Sequence, residues 1–442
     1  LPLPKVEVIA PDVGGGFGLR VSGVEDGTYE NPFRKIGSAL AQLGEGMDTV
    51  FVWDAANPYR ERLFIDTDGV SLIGSGEGLM GNGGRRFGSG VFPVLKGPSL
   101  NSFLKGTEPI PEPYATLNVM ADDVLVAGLE FRGNLVDEVW ALIADEFLDG
   151  FKDDPMPSLL EVVAQLSGII AWDANNLMVV GNRFHGKAAG VVNLAAPIGI
   201  PANASFKREG YPVDPHKEHN LIVVDNVFEE NAIGVLSGGL GYGLSGLNED
   251  DANGFLLKQD VDPDTLPRIP ANVVLANNRF QDNLVGAGVL QVGGGLNFYM
   301  IGNQFRNSGK MPVGVAALAA NLDDTMNAVI VDNVIEGNHT IGMGLLQEGG
   351  NLNAFFIGNQ FRDCQLTALA IEANVGTIMT ATEFFEDLEI GNVQLLFSDN
   401  LFESNGRDIP IPVELLESKT ESPVLELPDL PAVMLLLMGD QI

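Results

Sequence analysis

The apolar positions of this chain fall in short runs with polar punctuation at a fixed place. Asn176, the apolar run 177–180, Gly181, Asn182 and Phe184 make the first clear copy. The order is Asn, four mostly apolar residues, Gly, Asp or Asn, a second Asn, any residue, then Phe or Ile. It returns at Asn220–Phe228, Asn272–Phe280, Asn297–Phe305, Asn327–Ile335 and Asn353–Phe361. Gln394–Phe402 closes the series with Gln leading, and Asp123–Phe131 is a degenerate early copy. The second asparagines stand 44, 52, 25, 30, 26 and 41 residues apart. The short intervals define a unit of about 25 residues, and the long ones carry insertions.

Each unit also holds a second apolar run, as at Ala189–Val192, Ile233–Leu236, Val313–Leu318 and Ile341–Leu346. Runs this short, divided by Gly, Asn and Asp, read as strands rather than helices. One polar turn residue per unit predicts coils stacked in register about 4.8 Å apart, each Asn amide bonding the Asn one layer on.

The strands do not alternate. LMVV, LIVV, VVLA, FYMI, AVIV and AFFI are apolar at all four positions. Successive strand side chains face opposite sides, so one parity fills the interior and the other makes an apolar stripe outside, as in strands buried on both faces. Over six coils that stripe runs roughly 25–30 Å. It calls for a cover, either the chain's own insertions and tail or another molecule.

This pattern resembles the right-handed parallel β-helix of the pectate-lyase-like superfamily. The fold class is therefore all-β, a single-stranded right-handed parallel β-helix with an N-terminal capping helix and loop insertions. The N-terminal region carries the resemblance further: Gly27–Phe33 leads into a helical pattern over Ile36 to Leu43, then strands at Asp48–Val52, Leu63–Ile65 and Val70–Gly74. An amphipathic helix there would hide the open apolar end of the first coil. The implied organisation is a Gly-rich arm over 1–26, the β-helix over 27–408 and a Pro/Leu/Glu-rich tail or cap over 409–442. Insertions fall at about 135–170, 196–219 and 238–270. A capping box at Ser158–Glu161 predicts a helix over 159–166.

Charge narrows the function. Fifty-nine acidic against 25 basic residues give a net charge of −34. Such a surface repels nucleic acid and anionic lipid. A lone Cys364 excludes an intrachain disulfide, and 45% hydrophobic residues exclude a disordered chain. The most apolar late run, Val433–Met438, is far short of the roughly 20 residues a membrane span needs. The numbering opens at Leu1 rather than Met, which reads as a removed leader and an exported protein at the cell surface or outside the cell.

Candidate chemistry is sparse. Val6–Gly18 is similar to the glycine-rich stretch of molybdenum-dependent aldehyde and xanthine oxidoreductases, but nothing downstream matches that family and the segment reads as an arm. Asp260, Asp262 and Asp264 put three carboxylates on alternate positions of one insertion, a pattern that can ligate calcium, the one cofactor the sequence offers. The resemblance implies enzymes that use carboxylates, an Arg or Lys and sometimes calcium on the outer face of one strand stack. Here Arg183, Arg279, Arg306 and Arg362 read as exposed turn residues. His185, His216 and His219 read as surface groups, and Cys364 as a small core residue. Asn203 and Asn338 open glycosylation sequons. No catalytic residue is assigned. The expectation is a non-enzymatic structural or interaction protein that forms a homo-oligomer, filament or surface assembly through apolar outer faces. The alternative is a polysaccharide-lyase-like enzyme or a glycan-binding adhesin.

Overall fold

The computed structural model describes residues 5–9, 33–43, 47–55, 57–76, 80–81, 85–86, 91–96, 115–133, 167–172, 174–195, 219–240, 270–292, 294–307, 314–322, 324–337, 339–373 and 390–408. All lie in one compact unit, Leu1–Ile411; the second, Pro412–Ile442, falls outside the described residues. So do the helix expected over 159–166, the residues Asp260, Asp262 and Asp264, and the sequon residues Asn203 and Asn338.

Three parallel sheets of 11, 9 and 9 strands, here called A, B and C, wind into a single-stranded right-handed parallel β-helix. One coil runs Leu177–Val180 in sheet A, Arg183–His185 in sheet B and Ala189–Ala195 in sheet C, then returns to sheet A at His219–Val224. Each strand pairs in register with its counterparts one coil away, as Leu177↔Leu221 and Phe184↔Phe228 do. Sheet A reaches back to Lys5–Ile9, which pairs with Met47–Val52, so a strand stands inside the stretch read as an arm. The short helix Ile36–Leu40 packs against the first strands with Ile36 and Ala39 fully buried. Lys35 supplies no cap, and the Glu61 carboxylate instead accepts from the backbone N–H of Ile36 (3.0 Å) and Gly37 (3.1 Å).

Turn chemistry sets the bend between sheets A and B. The Gly/Asp/Asn position of the repeat is left-handed in every clear copy: Gly181, Asp225, Asn277, Gly302, Asp332, Gly358 and Asp399 have φ of 52–66°. Only Gly, Asn and Asp take that conformation at little cost. The Asn that follows turns inward. The Asn226 Oδ1 accepts from the Asn182 backbone N–H (2.8 Å), and the Asn226 Nδ2 donates to the Val179 carbonyl (2.8 Å) and to Asn278 Oδ1 (3.0 Å). The same ladder continues through Asn303, Asn333 and Asn359 to Asn400. The leading Asn of each unit builds a second ladder, with Nδ2 to Oδ1 bonds of 2.6–2.9 Å from Asn220 through Asn353.

The inward Phe of each unit stacks on the next. Phe131, Phe184, Phe228, Phe280 and Phe305 have ring centroids 4.5–5.0 Å apart and planes within 6°. That separation is the coil rise itself, so one stacked column fills one side of the core.

Candidate functional site

One outward column in each of sheets A and C is apolar, beside the asparagine ladder of sheet A and the outward Glu348 and Glu372 of sheet C. In sheet A, Leu125, Met178, Ile222, Val274, Tyr299, Val329, Phe355 and Leu396 are register partners from coil to coil. Within the single chain Val274 is 1% and Tyr299 2% exposed, whereas Leu396 at the last coil is 37% exposed. The stripe is thus sheltered intramolecularly over its middle and open at its end. In sheet C, the column Ile170–Val192–Leu236–Gly288–Leu318–Gly344–Ala370 starts buried and opens at Leu318, 41% exposed.

Sheet B has the wet outer face. Lys96, Arg132, His185, Glu229, Gln281, Arg306, Glu336, Arg362 and Glu403 form one outward column through successive register pairs. The arginines expected in turns are therefore strand residues. Arg183, Arg279, Arg306 and Arg362 each flank an inward Phe, and alternation sends both neighbours of that Phe outward. The signal was present in the sequence as the triplets Arg-Phe-His, Val-Phe-Glu, Arg-Phe-Gln and Gln-Phe-Arg.

Most polar side chains of this face satisfy one another. Arg132 Nε donates to Glu130 (2.6 Å), Arg306 pairs with Glu336 (2.6 Å), Arg362 with Glu403 (3.3 Å), and Arg279 donates to Gln281. A cleft of about 370 Å³ is the exception, lined by Glu130, Arg132, Gly133, Arg183, Phe184, His185, Val227 and Glu229. There the Arg183 guanidinium lies over the Phe92 ring, 4.2 Å from its centroid. Among the described residues, the side chains of Arg183, His185 and Glu229 have no ion-pair or hydrogen-bond partner.

Behind the cleft, Lys187 takes the ladder place in the turn from sheet B to sheet C. Its backbone N–H donates to Asn231 Oδ1 (2.9 Å), as that of Asn231 does to Asn283 Oδ1 (3.0 Å). Lys187 is 4% exposed, and its Nζ donates to Thr116 Oγ1 (2.8 Å). Burial, with Lys96 adding to it, lowers its pKa to about 7. Two histidines also sit inside rather than on the surface: His219 and His339 are each 4% exposed. Burial takes His339 down to about 4 against a weaker opposite pull from the Phe305 carbonyl and Asp282. Cys364 is buried in the core as expected, with a thiol pushed up to about 12 by burial and Asp363. Among the described residues no three His, Cys, Asp or Glu groups converge on a metal-binding geometry. No helix among them is long and apolar enough to cross a membrane.

No protein-family profile matches the chain, and no curated protein sequence matches it. Solved structures of similar fold include a polygalacturonase from Erwinia carotovora ssp. carotovora, 12% identical with a TM-score of 0.38, covering 85% of this chain and 91% of that one. An exopolygalacturonase from Thermotoga maritima is 7% identical with a TM-score of 0.33, covering 81% and 86%. A periplasmic alginate epimerase is 10% identical with a TM-score of 0.30, covering 80% and 77%. These likenesses concern the course of the chain alone.

Proposed function

We propose that the protein is a non-enzymatic interaction β-helix, extracellular or at the cell surface, that assembles with copies of itself or with a protein partner through an apolar outer face. The observation that carries this reading is one outward column in each of sheets A and C. From Leu125 to Leu396 and from Ile170 to Ala370 these two columns offer apolar side chains and glycine, with the Tyr299 phenol the one polar group among them. A catalytic face needs convergent acid, base or nucleophile instead. Leu318 on sheet C and Leu396 at the last described coil of sheet A are the points at which these columns open to contact. Light scattering across a concentration series tests the reading. Self-association that Leu318→Glu weakens is expected, and a protein that stays monomeric and retains no partner at high concentration would defeat it.

The polar cleft on sheet B favours a second reading, a carbohydrate-binding or carbohydrate-active protein. An activity and binding screen on neutral and acidic glycans, with and without calcium, distinguishes the two. We propose in addition that Asp260, Asp262 and Asp264 hold calcium, with a rise in thermal midpoint on adding calcium, reversed by chelator, as the expected outcome.

A further inference from the structure

We propose that the cleft on sheet B binds a small organic oxyanion that also carries a hydrogen-bond donor on its far side. Three observations support it, none of which depends on assembly through sheets A and C. First, the chain carries a net charge of −34, yet this cleft holds a guanidinium without an acidic partner. Arg183 is held over the Phe92 ring by a cation–π contact, and its planar fork matches carboxylate and phosphate oxygens. Second, Arg132, the other guanidinium of the cleft, is engaged by Glu130, so the free positive charge is concentrated at Arg183, with Lys96 one strand behind Arg132. Third, Glu229 lies on the next strand opposite His185, two residues further along the register from Arg183. Strands about 4.8 Å apart and roughly 3.3 Å of rise per residue place the Arg183 and Glu229 positions roughly 8 Å apart.

An anion at Arg183 and a hydroxyl or ammonium at Glu229 satisfy both ends. Neither a bare anion nor a neutral polyol does so. At about 370 Å³ the cleft lies at the lower end of small-molecule sites.

Isothermal titration of the full chain at low salt tests the proposal, with glucose 6-phosphate, gluconate, aspartate, inorganic phosphate and glucose as probes. Saturable binding by at least one of the first three is expected, weaker for phosphate, and not measurable for glucose. The first two distinguish a phosphate from a carboxylate as the anion, and aspartate an ammonium from a hydroxyl as the donor. Arg183→Gln should weaken the best probe by about tenfold or more and Glu229→Gln by about fivefold, since each removes a charged hydrogen-bond partner. Arg279→Gln, two coils from Arg183 along the same register line through Val227 but outside the cleft, should leave binding unchanged. No saturation with any anionic probe, glucose binding as tightly as the anions, or full affinity in Arg183→Gln would each overturn the proposal. Unchanged thermal unfolding of the three variants shows that the effects are local.

Discussion

At the residue scale, the stacked core leaves some positions no freedom. Gly234 lies between coils where a Cβ would meet the Gly286 carbonyl at 2.4 Å and Phe280 Cδ1 at 2.8 Å. Gly190 and Gly286 stand in the same relation to Phe228 and Phe305. Ala316 is their register counterpart, and the coil that follows it carries Ile335 where the others carry Phe. Gly234→Ala is therefore expected to lower stability by about 1–3 kcal/mol, read from denaturant unfolding, because neither backbone nor ring can retreat. Lys187 is the opposite case, a residue whose removal should help. Its folded pKa of about 7 lies below the unfolded value, so between these limits the unfolded chain binds a proton that the folded chain does not. Stability then rises with pH across that window. From pH 7 to pH 9 the native protein should gain about 2 kcal/mol relative to Lys187→Met, which lacks this titration. At pH 7 the Met variant should be the more stable by about 1–3 kcal/mol, after allowing for the Thr116 hydroxyl it leaves unpaired. A variant that unfolds more easily at pH 7 and shows the same pH slope would refute the assignment.

At the element scale, the two asparagine ladders share chemistry but not surroundings. Asn278 is 1% exposed; its Oδ1 accepts from the backbone and side chain of Asn226, and its Nδ2 donates to Val223 and Asn303. Asn278→Ala orphans a buried N–H and a carbonyl, and is expected to cost about 2–4 kcal/mol. Asn297, in the half-buried outer ladder, has water as an alternative partner, and Asn297→Ala should cost under about 1 kcal/mol. Equal costs in chemical unfolding would show that burial does not separate the ladders. Both were legible in the sequence because each unit repeats Asn at both places. The turn from sheet B to sheet C was not, although it uses the same device. Its left-handed residue is Gly186, Glu230, Asp282, Asp363 or Ser404, and the ladder residue that follows is Lys187, Asn231, Asn283, Cys364 or Asn405. Substitution by Lys and Cys hides the repeat, and the burial of Lys187 goes with it. The charged face was hidden for a related reason. A residue between Asn and Phe reads as part of a turn until the strand is known to start there.

At the scale of the whole molecule, a stack in which each coil touches only its neighbours opens from its ends. The two ends are finished differently. At the start, Ile36–Leu40 covers the first coils with Ile36 fully buried, and Glu61 satisfies its free N–H groups. At the far end, Ile390–Ser398 and Leu401–Glu403 are the outermost described strands of sheets A and B. Their inward residues Leu395, Phe397 and Phe402 are only partly buried, where Phe298, Phe305 and Phe356 are fully so. The last described coil thus keeps the stacking geometry, with Phe402 on Phe361 at 5.0 Å, and among the described residues no layer lies beyond it. Hydrogen exchange should show amides of 390–403 exchanging about a hundredfold or more faster than those of 296–305 in the free protein, the difference that about 3 kcal/mol of local opening produces. Protection that rises at 390–403 with protein concentration would place the self-contact at this end rather than along Leu318. Protection equal to the central coils at every concentration would mean that the coil is sealed within each chain, leaving sheet C as the apolar surface through which assembly could occur.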